Sequence, residues 1–311
     1  MTEHAWSRSP APWILVMAAV VLTGAVRVAG QRGPGGPPGP VALAGLSVEE
    51  RQAFDAGARV FARTYDVAEG LGPVFNDASC NACHRGGNGS NRTVTRIGRA
   101  ADGGFDPLDA VGGSLLQSRG IGEIATADGT YDFQGETVPP EATTVARRRS
   151  QPLLGLGLVD AVPDEVFHQI AGDERDRDPA TAGRVSVLFD PATGGERVGR
   201  FGWKAQVPSL RAFSADALLN EMGITSPGFR DEVCPQGDCA ALAFNPTPAL
   251  NDDGGDVAAI ADFMTLLAPA PAGPSTTRCG RARRRSTPWA AMPATGPRSR
   301  PDRTPSGRWT A

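Results

Sequence analysis

Three side chains carry the chemistry most legible in this chain: Cys80, Cys83 and His84, in the run Cys-Asn-Ala-Cys-His. Two thiols three positions apart can add to the vinyl groups of one porphyrin, and an imidazole directly after the second can turn back onto the iron as its proximal ligand. The spacing therefore predicts one c-type haem. A Cys-x-x-Cys pair also occurs in thioredoxin-like dithiols and in half of a zinc site, and these are the competing readings. Zinc lacks partners: besides His84 the chain has only His4 and His168, and the next thiols, Cys234 and Cys239, lie far downstream without zinc-ribbon spacing.

What faces the iron opposite His84 decides between substrate chemistry and electron carriage. A Met ligand gives a six-coordinate carrier, whereas an open position admits peroxide. Met222 is the first candidate, because it follows the haem motif and precedes the last predicted helix, in a block with Asn220, Glu221 and Gly223. A flexible core filler is the alternative for the same residue. Met264 reads as core, and His168 as a surface residue of a short amphipathic helix. Lys204 is the only Lys beside 30 Arg, so it is a candidate amine for ligation, or for proton transfer if burial lowers its pKa. Its neighbour Trp203 is a candidate redox-active indole or ordinary packing. Glu221, Glu123 and Arg200 are candidate polar groups around propionates or a peroxide. The run Arg147-Arg148-Arg149 can steer an acidic donor, bind propionates or sit in solvent.

Helices must hold the motif in place. Ser47 and Glu50 form a capping box, and Phe54, Ala58 and Phe61 follow at helical spacing. Gly57, one turn before Phe61, would let another helix approach closely, as the first helix of a cytochrome c approaches the last. Residues 256–267 supply that last helix, apolar at 257, 260, 263, 264 and 267 and ending before Pro269. Between them, residues 184–188 and 197–203 flank a turn at 190–195 and predict a β-hairpin. Residues 163–171 predict a short helix opened by Pro163, with Asp164 and Glu165 in its first turn. The expected fold is mainly α: a cytochrome c-like haem domain over 46–270 with a long loop-rich insertion containing a small β-hairpin. The hydrophobic fraction of 40% allows a core, and 39 Gly with 27 Pro make it loop-rich.

Charge is uneven. From Gly273 onward there are nine Arg and one acid, so the preceding residues hold 22 basic and 33 acidic groups, a net of -11. An acidic body fits a basic partner better than nucleic acid. Arg8 precedes an apolar run from Trp13 to Val26, with Ala29 and Gly30 behind it, so residues 1–30 read as an export signal, or as an uncleaved anchor because Arg27 interrupts the approach to the cleavage point. Residues 31–45, with Gly-Pro-Gly-Gly-Pro-Pro-Gly-Pro at 33–40, read as a tether. Periplasmic or otherwise exported placement follows, with the N-terminal segment as the sole membrane contact. Cys234 and Cys239 then read as a disulfide, with a free thiol pair as the alternative.

Five blocks occur in order: Gly-Leu-Gly-Pro-Val-Phe-Asn at 70–76, Gly-Gly-Ser-Leu-Leu-Gln-Ser-Arg at 112–119, Pro-Leu-Leu-Gly-Leu-Gly-Leu at 152–158, Gly-Arg-Phe-Gly-Trp-Lys-Ala-Gln at 199–206 and Leu-Asn-Glu-Met-Gly-Ile-Thr at 219–225. Together, over roughly 46–269, the chain resembles the bacterial di-haem oxidoreductases that carry a peroxidase label, also called thiol oxidoreductase-like proteins. The resemblance implies a cytochrome c-like fold, export and two c-type haems. The expected function is an exported haem oxidoreductase of peroxidase type, drawing electrons from a small cytochrome or quinol-linked donor. A pure electron-transfer cytochrome and a truncated non-functional product are the alternatives.

The family leads one to expect a second Cys-x-x-Cys-His after the last helix, and none follows. Residues 271–311 instead form a basic tail rich in Arg, Pro, Ser and Thr, with an unpaired Cys279, that cannot build a core. The bland reading is disorder. The genetic code offers another: with each codon of residues 289–295 started one base early, Gly and Ala are forced at the first and fourth positions, and Cys, Asn or Asp, Cys and His are allowed at the rest, giving Gly-Cys-Asn/Asp-Ala-Cys-His. The tail therefore reads as frameshifted between Leu267 and Trp289, and as written the chain holds one haem. Resequencing the locus is expected to reveal a shifted frame in this interval; an intact frame with no second motif nearby would sink the idea.

Overall fold

The computed structural model describes residues 39–101, 104–127 and 129–271. The predicted signal (1–30), most of the predicted tether, His4, the basic tail from 272 onward and the frameshift region lie outside them. In chain order the elements are α1 (Val48–Ala62), β1 (Val74–Phe75), α2 (Cys80–Cys83), β2 (Thr93–Ala101), β3 (Gly104–Asp106), β4 (Leu115–Leu116), β5 (Arg119–Gly120), β6 (Gly122–Thr126), β7 (Gly129–Phe133), β8 (Thr144–Arg149), α3 (Leu156–Asp160), α4 (Asp164–Arg177), β9 (Val187–Asp190), β10 (Gly195–Val198), α5 (Leu210–Met222) and α6 (Gly255–Thr265).

The capping box forms as the sequence predicts. Glu50 N donates to Ser47 Oγ at 3.1 Å, and Ser47 N to the Glu50 carboxylate at 2.7 Å, so α1 starts at Val48 with two of its orphan donors satisfied. The helix buries Phe54, Gly57 and Phe61 against α6. A Cβ on Gly57 would sit 2.1 Å from the Ala259 carbonyl oxygen, so the two backbones meet where only glycine fits. Phe263 of α6 lies between Phe54 and Phe61, with ring centroids 5.3 and 4.7 Å away. All five positions expected to form the apolar face of the last helix are buried. Its first turn is capped by Asp252, whose carboxylate accepts from Asp256 N and Val257 N. Helix α5 packs against α6 and is buried at seven of its thirteen positions. These helices enclose one apolar cluster that includes Phe54, Phe61, Leu210, Leu218, Phe263 and Leu267.

The expectation of a mainly α fold is overturned. Helices take 35% and strands 21% of the described residues, and the strands form several small antiparallel sheets rather than one hairpin. The largest runs β3-β2-β4, with β8 paired to β2 from Thr93↔Arg149 to Gly98↔Thr144. The segments concerned, Thr-Val-Thr-Arg-Ile-Gly and Thr-Val-Ala-Arg-Arg-Arg, are rich in β-branched residues, whose stiff side chains favour extended backbone. Their pairing is set by partners some fifty positions apart in the chain, which local pattern does not reveal. The expected hairpin is present as β9 and β10, in register from Asp190↔Gly195 to Val187↔Val198. The expected short helix opens at Pro163 but runs on to Arg177 as α4. Pairing also begins inside the predicted tether: Leu43 N donates to Leu266 O and Ala268 N to Val41 O, each at 2.8 Å.

Cys234 and Cys239 are joined as a disulfide, the first of the two readings. Beside it Glu232 accepts from Val233 N at 3.2 Å and Asn245 Nδ2 at 3.3 Å, and burial pushes its carboxyl up to about 7.

Two outcomes follow from this packing. Gly57→Ala should destabilise the fold by about 1–3 kcal/mol through overpacking, read as a lowered denaturation midpoint; an unchanged midpoint would refute the close approach of α1 and α6. Because Glu232 binds its proton more tightly folded than unfolded, its contribution is present below its ordinary value of 4.5 and is lost as pH rises towards 7. Glu232→Gln should flatten that part of the stability-pH curve, a change of at most about 3 kcal/mol.

Candidate functional site

The Cys80–His84 motif folds as a single turn. Ser79 is extended, α2 spans Cys80–Cys83, and His84 N donates to Cys80 O at 2.9 Å, which places both thiols and the imidazole on one short spiral. Both cysteines are free thiols. Cys80 packs against the main apolar cluster, and burial pushes its thiol up to about 12. Burial also raises Cys83, with the Asp77 and Glu221 carboxylates adding to the effect.

His84 is the best-defined member. Its Nδ1 lies 2.8 Å from the Gln151 carbonyl oxygen. A carbonyl can only accept, so Nδ1 carries the proton and the Nε2 lone pair is left for a ligand. Burial lowers the pKa of the ring, which favours the neutral form that a metal requires. Gln151 is held there by backbone lacing between 85–92 and 150–153: Ser150 N donates to Arg92 O at 3.2 Å, and Leu153 N to Gly87 O at 2.7 Å. The strands pass so closely that a Cβ on Gly89 would meet Ser150 O at 2.3 Å. A cleft of about 860 Å³ opens here, lined by Ala82 of the motif and by Arg85, Arg92, Arg149 and Gln151 among others.

The end of α5 closes on the segment leading into the motif. Gly72 N donates to Met222 O at 2.9 Å and Asn76 N to Glu221 O at 2.8 Å. Asn76 also donates through Nδ2 to Glu221 Oε2 at 2.9 Å and accepts from Ser118 N at 3.0 Å. Gly223 ends the helix in the left-handed region at φ 68°, and a Cβ there would sit 2.4 Å from Gly72 O. Gln117, deeply buried, donates to Asn220 O at 2.9 Å. Met222 is 2% exposed and belongs to the same apolar cluster that Cys80 packs against. Burial raises the Glu221 carboxyl, which Asn76 and the Arg96 charge partly offset, and burial raises Asp216 as well. The structure thus places Glu221 and Met222 against the segment that leads into the Cys80–His84 turn.

Others do not. Lys204 lies on an exposed turn, its backbone N–H donating to Gln206 Oε1 at 2.7 Å. Trp203 beside it is 48% exposed, with the Arg148 guanidinium 4.7 Å above its ring. Arg200 is structural: its side chain, 1% exposed, pairs with Asp164, donates to the carbonyls of Asp160 and Val162 and stacks on Phe167. Glu123 and His168 are exposed, on β6 and α4. Met264 is buried in the core face of α6. Sequence reasoning missed Gln151, Asn76 and Gln117. Each stands at the edge of or inside one of the five sequence blocks, which was the available signal, but a backbone acceptor leaves no trace in residue type.

Among the described residues no group of three or more His, Cys, Asp or Glu is placed to hold a metal ion, which leaves the zinc alternative without a ligand set. Two free thiols, a neutral imidazole with its Nε2 lone pair available and a cleft flanked by guanidinium groups suit a porphyrin with acidic substituents. No curated protein and no solved structure matches the chain. The Cys80–His84 motif lies outside the stretch that does find a counterpart, so it stands on its own spacing and geometry. Residues 135–268, which carry α3 to α6 and with them Glu221 and Met222, match the family described as "Di-haem oxidoreductase, putative peroxidase".

Proposed function

We propose that the chain is an exported c-type haem oxidoreductase of peroxidase type, with Cys80 and Cys83 as thioether anchors and His84 Nε2 as proximal ligand. The observation that carries the reading is the 2.8 Å bond from His84 Nδ1 to the Gln151 carbonyl, which orients a neutral imidazole beside two free thiols. Bound there, a haem supplies one-electron chemistry and, where its sixth position opens, reduction of peroxide. The protein's share is positional and electrostatic. Arg85 and Arg149 in the cleft are available to the propionates. Met222, held at the end of α5 by Gly72 and Gly223, is the candidate for the opposite side of the iron. Glu221 takes Asn76 Nδ2 on Oε2, so Oε1 is the atom free to carry a proton, and burial favours keeping it there. Electrons would come from a small cytochrome or a quinol-linked donor outside the cytoplasm. The chain as written supplies one haem motif; the second expected of the family is the one the shifted frame would restore.

A second reading is favoured by one observation, the deep burial of Met222 in the cluster that Cys80 joins. A thioether held so firmly makes a six-coordinate carrier with no substrate chemistry.

Expressed with a haem-maturation system, the protein should show a Soret band that survives acidified-acetone extraction. Cys80→Ala with Cys83→Ala should abolish it, and absence of the band in the parent protein would falsify the function. Met222→Ala should convert a low-spin ferric spectrum to high-spin and speed the reaction with hydrogen peroxide by tenfold or more, about 1.4 kcal/mol. An unchanged spectrum removes Met222 as the ligand, and a parent haem already high-spin and reactive supports the peroxidase over the carrier.

A further inference from the structure

The chain up to residue 272 is acidic, yet the elements around the Cys80–His84 turn carry the opposite sign. Residues 78–101 and 142–159 contain seven Arg and no Asp or Glu. The antiparallel pairing of β2 with β8 brings these stretches side by side, so the segregation in sequence becomes a basic region. Three of the seven are committed: Arg92 pairs with Asp77, Arg99 with Asp106 and Arg96 donates to Ser114. Arg85, Arg147, Arg148 and Arg149 are exposed, and among the described residues none has a carboxylate within ion-pair reach.

The geometry of β8 sorts these charges. Side chains alternate across a strand, so Arg147 stands on the same side as Arg149, which lines the cleft, while Arg148 stands on the other and covers Trp203. Lys204 is exposed directly after Trp203. An indole half open to solvent, roofed by one guanidinium and followed by an exposed Lys, is the composition of an interface centre, where Trp and Arg dominate binding energy. Arg148 lies three residues before Gln151, which accepts the His84 hydrogen bond, so the patch is within about 10 Å of extended chain from the imidazole's support. Net repulsion from an acidic body and local attraction at one face together orient an incoming acidic protein towards that face.

We propose that Arg148, Trp203 and Lys204 form the docking surface for an acidic electron-transfer protein, on the segment that carries Gln151 to His84. The function of the surface rests on the haem reading above; its existence does not. An acidic plastocyanin and a basic mitochondrial cytochrome c serve as probes of opposite charge. Titration calorimetry of the full chain should show binding of plastocyanin that weakens about tenfold or more between 20 and 200 mM salt, and no binding of the basic cytochrome. Arg148→Glu with Lys204→Glu should reduce plastocyanin affinity at least tenfold, and Trp203→Ala should weaken it without changing the salt slope. In the haem-loaded protein both variants should keep the parent Soret band while reduction by plastocyanin slows in step with affinity. Because calorimetry needs no haem, a missing Soret band sinks the proposed function and leaves the surface testable. Equal binding of both probes, preference for the basic cytochrome, binding of a short DNA duplex in place of plastocyanin, or charge-reversal variants that bind as the parent does would each overturn the proposal.

Discussion

A backbone carbonyl can accept a hydrogen bond but never give one, and in this protein that asymmetry decides which nitrogen of His84 is left free to ligate. Gln151 O takes the Nδ1 proton, so Nε2 is left as the lone pair. Nothing in the five-residue motif supplies that carbonyl. It arrives from a segment more than sixty positions away, carried there by β8 and held by the lacing of 85–92 to 150–153. The small sheet is thus the part of the fold that turns a sequence motif into an oriented donor.

A second constraint works from the opposite side. Helix α5 is buried at seven of its thirteen positions and ends on a left-handed glycine that lies against the backbone of Gly72. Glu221 and Met222 have therefore little freedom to move away from the segment entering the motif. Asn76 spends both of its side-chain atoms on this junction, one to Glu221 and one to Ser118. Removing one partner of such a buried polar pair strands the other, which is why these junctions hold. Beneath them, the α1 and α6 contact through Gly57 and Phe263 provides the rigid base.

Charge follows the same division. The acidic groups lie along the body, whereas the stretches that build the motif's surroundings are free of them. Arginine serves two ends here, one structural and one superficial. Arg200 sits almost fully buried and ties the end of α3 to α4, while Arg147 to Arg149 stay in solvent. Residue type alone treats all of them as one candidate class, and only burial separates them.

The candidate site residues were legible without coordinates, Cys80, Cys83 and His84 from spacing and Met222 and Glu221 from their place before the last helix, and the Cys234–Cys239 bridge was the first reading of its two thiols. So were α1 and α6, because caps and apolar periodicity are local properties of a helix. The tertiary structure alone decided the mixed α and β character, since strands such as β2 and β8 acquire their register from partners distant in the chain. It alone brought Gln151 to His84, and it alone placed Lys204 and Trp203 on the surface. The physical reason is the same in each case: a side chain's chemistry is written in its identity, but its solvation and its hydrogen-bonding partner belong to whatever the fold packs against it.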